Sequence, residues 1–267
     1  MSGRLHGPAA WLLVSITTVA MIFILAPLLV TIATSISDTQ YIVFPPRGFT
    51  VQWYGKAVQD QDFLSALWFS TVLAVAATLG ALLLGVPAAV ALARSEFPGR
   101  DAIGSVLLSP LVFPVLITGV ALLQLFSTFG FNNTPVNLFI GHLLVTAPYV
   151  VRTTTASLLL ADRTLEDAAR TLGASNSVVF RRITVPQIAP GLAAGALFAF
   201  MISFDNFPIS LWLADAQYRP VPLLIFDMVA SVFEPTVAAI STMMIFFAMA
   251  VVLVLERIGG LQRAMSM

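Results

Sequence analysis

Residues 64–93 read LSALWFSTVLAVAATLGALLLGVPAAVALA, and no charged side chain interrupts the run. A bilayer-spanning helix needs about 20 predominantly apolar residues, so this stretch decides the class of the protein: it is a transmembrane helix. Moving outward in both directions, five more stretches of comparable character lie between charges, prolines and glycines, at about 10–34, 103–129, 138–160, 188–213 and 237–255. The fold read from them is all-α, a polytopic membrane protein with six transmembrane helices. Composition agrees. Of 267 residues, 58% are hydrophobic and 10% charged, with a mean hydropathy of +0.94, whereas an ordinary soluble domain carries about 25% charged residues.

Six spans return the chain to the side on which it started, and the basic residues indicate which side that is. Arg4, Arg94, Arg100, Arg152, Arg163, Arg170, Arg181, Arg182, Arg257 and Arg263 fall on one side, against Arg47, Lys56 and Arg219 on the other. The positive-inside rule assigns the richer set, and both termini, to the cytoplasm. The expected organisation is a cytoplasmic N-terminal tail (1–9), a six-helix membrane domain (10–258) and a cytoplasmic C-terminal tail (259–267). The first span follows Arg4 in the manner of a secretion signal. Its apolar run is longer than the roughly 7–15 residues of a signal core and lacks a small-residue cleavage site, so a retained helix is expected. Trp53, Tyr54 and Trp68 flank the second span at its outer end, where amphipathic rings sit at the headgroup level. Pro27, Pro87, Pro110, Pro114, Pro148 and Pro208 fall inside spans, where each removes a donor and can kink its helix. That suits a bundle that has to rearrange. The outer connection 35–63 contains the irregular Phe44-Pro45-Pro46-Arg47-Gly48, and the one after the fifth span carries Asp215, Tyr218, Arg219, Asp227 and Glu234.

The chain has 13 basic and 13 acidic residues and no cysteine. Zero net charge removes the footprint of a nucleic-acid-binding protein. The absence of cysteine removes disulfides, thiolate metal sites and cysteine nucleophiles. His6 and His142 are the only imidazoles, so no metal centre, cofactor or catalytic residue is expected. A membrane-embedded enzyme would need a nucleophile with a base or a metal, and no H-E-x-x-H, G-x-G-D or paired intramembrane aspartates occur. The sole lysine, Lys56, follows Gly55 but precedes Ala57, so no G-x-x-x-x-G-K-[ST] phosphate loop is present. Any ATP must be hydrolysed by another chain.

The connection 161–189 is the most informative. Asp162-Arg163-Thr164-Leu165-Glu166-Asp167-Ala168-Ala169-Arg170-Thr171-Leu172 is helix-forming sequence with acids in its first turn, where the helix dipole favours them. Gly173 fits the left-handed position that ends a helix. Ser175 or Asn176 can cap a second short helix running to Arg182, and Pro186 closes the segment before the fifth span. The expected product is a helix–turn–helix at the membrane surface, with the small side chains of Ala168, Ala169, Gly173 and Ala174 open to a partner backbone between Arg170, Arg181 and Arg182.

The order Asp167-Ala168-Ala169, three residues, Gly173, nine residues, Ile183, one residue, Val185-Pro186 resembles the EAA loop of binding-protein-dependent ABC importer permeases, E-A-A-x(3)-G-x(9)-I-x-L-P. Asp167 stands in place of glutamate and Val185 in place of leucine. The resemblance covers most of the chain, from the first span to Leu255, and Phe204-Asp205-Asn206 with the polar loop to Pro222-Leu223 is similar to the second permease subunit of spermidine/putrescine importers. It implies a type I ABC importer permease fold in a bacterial inner membrane. The implied partners are a homologous permease in a heterodimer, a cytoplasmic dimer of ATP-binding subunits and an extracytoplasmic solute-binding protein. The residues implied to couple to the ATPase are Glu166, Asp167, Ala168, Ala169, Gly173, Ala174, Arg181, Arg182, Ile183 and Pro186. The implied substrate is a polyamine or another small organic cation. Another small solute such as an amino acid, or an ATP-independent channel or carrier, stands as the alternative.

An ionisable residue at mid-membrane costs about 2.5–3.5 kcal/mol on insertion scales, which singles out Asp205 in the outer half of the fifth span. Phe204, Asn206 and Trp212 accompany it, and Pro208 is spaced to leave the Phe204 carbonyl unpaired. Carboxylate, carbonyl and ring faces together suit a passing cation; alternatively, Asp205 sits at the interface or bonds to a neighbouring helix. Gln124 in the third span and His142 in the fourth either line the same path or serve as interhelical hydrogen bonds.

Overall fold

The computed structural model of the chain describes residues 8–231 and 234–259. The expected tails lie outside the described residues except for residues 8, 9 and 259, which are helical. Among the described residues the chain is built of helices without a strand: α1 (Pro8–Ser35), α2 (Gln52–Gln59), α3 (Gln61–Arg94), α4 (Arg100–Leu108), α5 (Val115–Thr128), α6 (Thr134–Leu160), α7 (Arg163–Thr171), α8 (Asn176–Val179), α9 (Val185–Phe204), α10 (Phe207–Leu213), α11 (Val221–Ser231) and α12 (Pro235–Gly259). Five helical stretches are each long and apolar enough to cross a membrane: Ala10–Ser35, Gln61–Arg94, Thr134–Leu160, Asn176–Phe204 and Pro235–Val254. A sixth candidate is a bent pair.

That pair corrects the expectation of one helix over 103–129. A 3-10 turn at Ser109–Leu111 follows α4, the chain breaks, and α5 leaves at 102° to the first half. The residue before a proline is pushed out of the helical region, and Pro114 itself takes ψ 119° while its carbonyl accepts from Ile117 and Thr118 to start α5. The expected span 188–213 is also divided. Helix α9 ends at Phe204, Asp205 and Asn206 form a turn, and α10 begins at Phe207. Pro208 therefore sits in the first turn of α10, where no intrahelical donor is needed, and the expectation that it frees a mid-helix carbonyl at Phe204 does not hold.

The opposite correction applies at Pro186. Instead of closing the preceding segment, it lies in a helix that continues from α8 through a π turn, Phe180–Thr184, into α9. Proline lacks an N–H and its ring crowds the carbonyl four residues back. The wider turn relieves this, with the Val185 N–H donating to Phe180 O five residues back. Pro27, Pro87 and Pro148 lie inside helices, as expected.

The described residues divide into two units, one from residues 1–61 with 225–247 and one from 62–224 with 248–267. In the first, α1 exposes apolar side chains all round, including Trp11 and Phe23. Trp53 is not an interfacial ring, since it is 3% exposed and its indole N–H donates to the Ser37 carbonyl at 2.8 Å. Tyr54 Oη pairs with Ser35 Oγ at 2.6 Å. The two rings fasten α2 to the end of α1, and backbone bonds from Asp38 to Arg47 O and from Thr50 to Ile36 O close the loop between them. Trp68 remains exposed, as an anchoring ring would be.

The second unit is packed largely through small side chains. Helix α3 buries Ala66, Ser70, Ala74, Ala77, Ala81, Gly85, Ala89 and Ala93 along one stripe. One cluster joins Ala81, Val150 and Ala199, and another joins Ala89, Ala93, Leu158 and Ile188, each linking α3, α6 and α9. Lipid tails are as apolar as leucine, so close van der Waals approach is what holds such helices together. The closest approach is made by Gly191 and Gly195 of α9. A Cβ on Gly191 would lie 2.6 Å from Ser157 Cβ and 2.9 Å from Thr153 O, and one on Gly195 would lie 2.6 Å from Thr153 Oγ1 and 3.2 Å from Val150 Cα, all on α6.

Candidate functional site

The loop between α6 and α9 is held by its own sequence. Asp162 caps α7, its Oδ1 accepting from the Thr164 N–H at 2.8 Å and the Thr164 hydroxyl at 2.7 Å. The hydroxyl first, and then the amide, hold its carboxyl below the ordinary value of 3.8. At the other end Gly173 adopts φ +87°. The Ala174 N–H then reaches Ala169 O at 3.0 Å and the Gly173 N–H reaches Arg170 O at 2.9 Å, the paired bonds of a Schellman turn. Ser175 is the residue before α8, though its side chain makes no capping bond.

Of the two adjacent acids, Glu166 is buried and Asp167 exposed. Glu166 Oε1 accepts from Arg94 Nη2 at 3.0 Å and Thr184 Oγ1 at 3.1 Å, and Oε2 lies 3.4 Å from Arg170 Nη2. Asp167 pairs with Arg170 Nη1 at 2.8 Å. Arg163 Nη2 donates to the Ala93 carbonyl at 2.8 Å, and the Asp162 N–H donates to Gln187 Oε1 at 2.8 Å. Arg94, Arg163, Glu166, Asp167, Arg170 and Thr184 line part of a cavity of about 380 Å³. Of the small side chains expected to be open, Ala168 and Gly173 are exposed, whereas Ala169 and Ala174 are half-buried. Arg181 and Arg182 are exposed in the π turn, Ile183 is half-buried and Pro186 is exposed. Leu165, Leu172 and Val178 are exposed as well, Leu172 to 88%, so the loop carries apolar side chains that nothing among the described residues covers.

At the opposite end of α9, Asp205 is exposed in the turn that separates α9 from α10. Asn206 is buried and structural: its Oδ1 accepts from the Ile209 N–H at 3.0 Å, capping α10, and its carbonyl accepts from Ser210 Oγ at 2.6 Å. Phe204 is buried and stacks on Phe200 at 5.8 Å between centroids. Trp212 is partly exposed beside Gly119 of α5, and Gln124, also on α5, is exposed. His142 is buried with Nδ1 at 2.8 Å from Ser203 Oγ and Nε2 at 3.5 Å from Ser210 Oγ. It bridges helices and does not line an open surface.

The comparison that decides the family concerns the part of the chain containing both of these regions. The model of the binding-protein-dependent transport system inner membrane component matches residues 81–263. The chain belongs to this family. The permease is 30% identical over 230 residues to the putrescine transport system permease protein PotI of Escherichia coli K12, covering 84% of this chain and 82% of that one. It is 29% identical to the spermidine/putrescine transport system permease protein PotC of Haemophilus influenzae, with 88% and 91% covered. In fold it is similar to a chain of the bacterial ABC transporter that imports the acidic polysaccharide alginate, with a TM-score of 0.74 at 17% identity over 95% of this chain and 99% of that one. The permease is thus a membrane subunit of an ABC importer with the type I architecture.

The loop and the helix break of the permease lie at opposite ends of α9, and only within each region are the candidate residues brought together. Sequence reasoning missed Arg94 and Thr184, the partners of Glu166, because their contacts span 72 and 18 residues of sequence. It also passed over Leu165 and Leu172, whose spacing of seven places both on one face of a helix. That signal was present, hidden by attention to the small residues between them.

Proposed function

We propose that the permease passes polyamines of the spermidine/putrescine type, or another small organic cation, as half of an ATP-driven pathway. The observation that carries the substrate is the relationship to the putrescine and spermidine/putrescine permeases, each over more than four fifths of the chain. The chemistry of Asp205 supports it: an exposed carboxylate at a helix break attracts an ammonium group by charge, and Trp212 on the following helix offers a ring face. Gln124 lines the same path.

In this reading the loop 161–189 faces the cytoplasm, in keeping with the distribution of arginine. Leu165, Ala168, Leu172 and Val178 form the apolar face that docks on a separate ATP-binding subunit, with Asp167, Arg181 and Arg182 at its rim. A homologous permease completes the pathway, and an extracytoplasmic solute-binding protein delivers the substrate. The test is uptake into proteoliposomes holding the complete importer. Putrescine or spermidine should accumulate only with ATP and should raise ATP hydrolysis. If neither polyamine does so while an amino acid does, the substrate assignment falls and the permease assignment stands.

A further inference from the structure

Glu166 lies in the segment that docks on the ATPase, yet its carboxylate is not open to a partner. It is 5% exposed, while the Asp167 side chain beside it is 73% exposed. Glu166 is shared among three elements: Arg94 in the last turn of α3 at 3.0 Å, Thr184 in the π turn below α9 at 3.1 Å, and Arg170 on its own helix at 3.4 Å. Two further bonds join the same elements. Arg163 reaches the Ala93 carbonyl of α3, and Asp162 is tied to Gln187 of α9. Among the described residues Arg94 Nε is buried without a hydrogen-bond partner, and the charge of that guanidinium is met by Glu166 at 3.0 Å. The π turn is a point at which the continuous helix 176–204 can bend, since its bond runs five residues back and not four. Thr184, the last residue of that turn, is the one that Glu166 holds.

We infer that Glu166 is a positioning residue that locks α7, the end of α3 and the foot of α9 into one body, with Arg94 and Thr184 as its partners. A displacement of the loop is then delivered to two membrane helices instead of being absorbed by bending at the π turn. The two acids divide the work: Asp167 faces outward and Glu166 faces the helices that must move. This inference rests on the reading of the loop as the ATPase dock.

The experiment uses the complete importer in proteoliposomes. E166Q keeps the size of the side chain and removes its charge, R94M removes the partner charge, and T184V removes one hydrogen bond without exposing a charge. Substrate transported per ATP hydrolysed is measured together with cross-linking of an S175C reporter to the ATPase, which a chain without native cysteine permits. In E166Q and R94M, each of which leaves one partner of the pair uncompensated, transport per ATP should fall about tenfold, while cross-linking stays within about twofold of its level before the substitution. T184V should fall in the same direction by less, and R94M/E166Q should be no worse than either single variant, because the double variant buries no unpaired charge. Unchanged transport per ATP in E166Q and T184V, or losses that simply add in the double variant, would overturn the inference. Absence of cross-linking from S175C with the rest of the loop intact would instead overturn the docking reading.

Discussion

Replacing Gly191 with alanine should separate α6 from α9. The added Cβ would sit 2.6 Å from Ser157 Cβ and 2.9 Å from the Thr153 carbonyl oxygen, besides clashing with Ser157 Oγ. Carbon atoms pack at about 3.5–4.0 Å, so either the helices part by about 1 Å or Ser157 and its turn must move. Overpacking of this kind costs about 1–3 kcal/mol, roughly a 5- to 150-fold change in the folded-to-unfolded ratio. Partial separation brings no compensating burial, because lipid contacts replace helix contacts without gain. The assay is unfolding of the purified permease in mixed micelles, followed by tryptophan fluorescence. A193V is the control, since Ala193 lines an open apolar groove on the same helix and should tolerate two methyl groups. S157G removes the Cβ and Oγ that Gly191→Ala meets. Alone it should cost about 1 kcal/mol as a glycine in a helix, but combined with G191A it should recover part of the loss, the Thr153 carbonyl remaining in place. A G191A variant as stable as its parent, or a double variant whose losses add, would refute the close-packed interface.

Three further outcomes follow from the same geometry. D205N should leave membrane abundance unchanged, because an exposed side chain outside the packed core alters stability by no more than about 0.5 kcal/mol, while polyamine uptake at low concentration falls about tenfold; equal uptake by both proteins would remove Asp205 from the path. In G173V the Cβ meets no neighbouring atom but a β-branched residue is forced to φ +87°, at a cost of about 1–2 kcal/mol, so the amides of residue 173 and Ala174 should exchange faster with deuterium and those of α3 should not. The Asp162 cap should be insensitive to pH above 3.8 and should fail only on acidification below that value. Its folded-state pKa is depressed by the Thr164 hydroxyl and amide, so its contribution is present above the unfolded value and lost as pH falls through the folded one. Exchange of the Thr164 amide against pH reads this directly, and D162N, which still caps, should shift it less than D162A.

Long apolar runs made the helical type of the spans legible, because lipid leaves a chain few ways to satisfy its backbone, although of the six expected one is a bent pair. Gly173 was legible for a local reason: a helix that ends in a Schellman turn takes a left-handed residue there, and glycine adopts it without strain. The interior of the loop was not. Glu166 and Asp167 are adjacent, carry the same charge and sit in the same helix, and nothing local says that one is buried and the other exposed. That difference is made by Arg94, 72 residues earlier, and Thr184, 18 residues later. The π turn was hidden for the same kind of reason. Pro186 reads as a helix stop, and it fails to act as one because the preceding turn widens around it.

The break at Asp205 was visible in part. Asn206-Phe207-Pro208 has the form of a helix start, an Asn cap with proline in the first turn, and the length of the apolar run 188–213 concealed it. What makes the break stable comes from elsewhere in the chain. Ser210 donates its hydroxyl hydrogen to the Asn206 carbonyl at 2.6 Å, and the ring nitrogens of His142 lie 2.8 Å from Ser203 Oγ and 3.5 Å from Ser210 Oγ. One imidazole from α6 therefore holds Ser203 at the end of α9 and Ser210 in α10, the two sides of the turn in which Asp205 stands. A carboxylate on a free loop would lose its orientation to thermal motion; here its backbone is fixed from both sides by a helix that does not contain it. The polar residues of this region divide as Glu166 and Asp167 do, with one set buried to set the geometry and one acid left exposed.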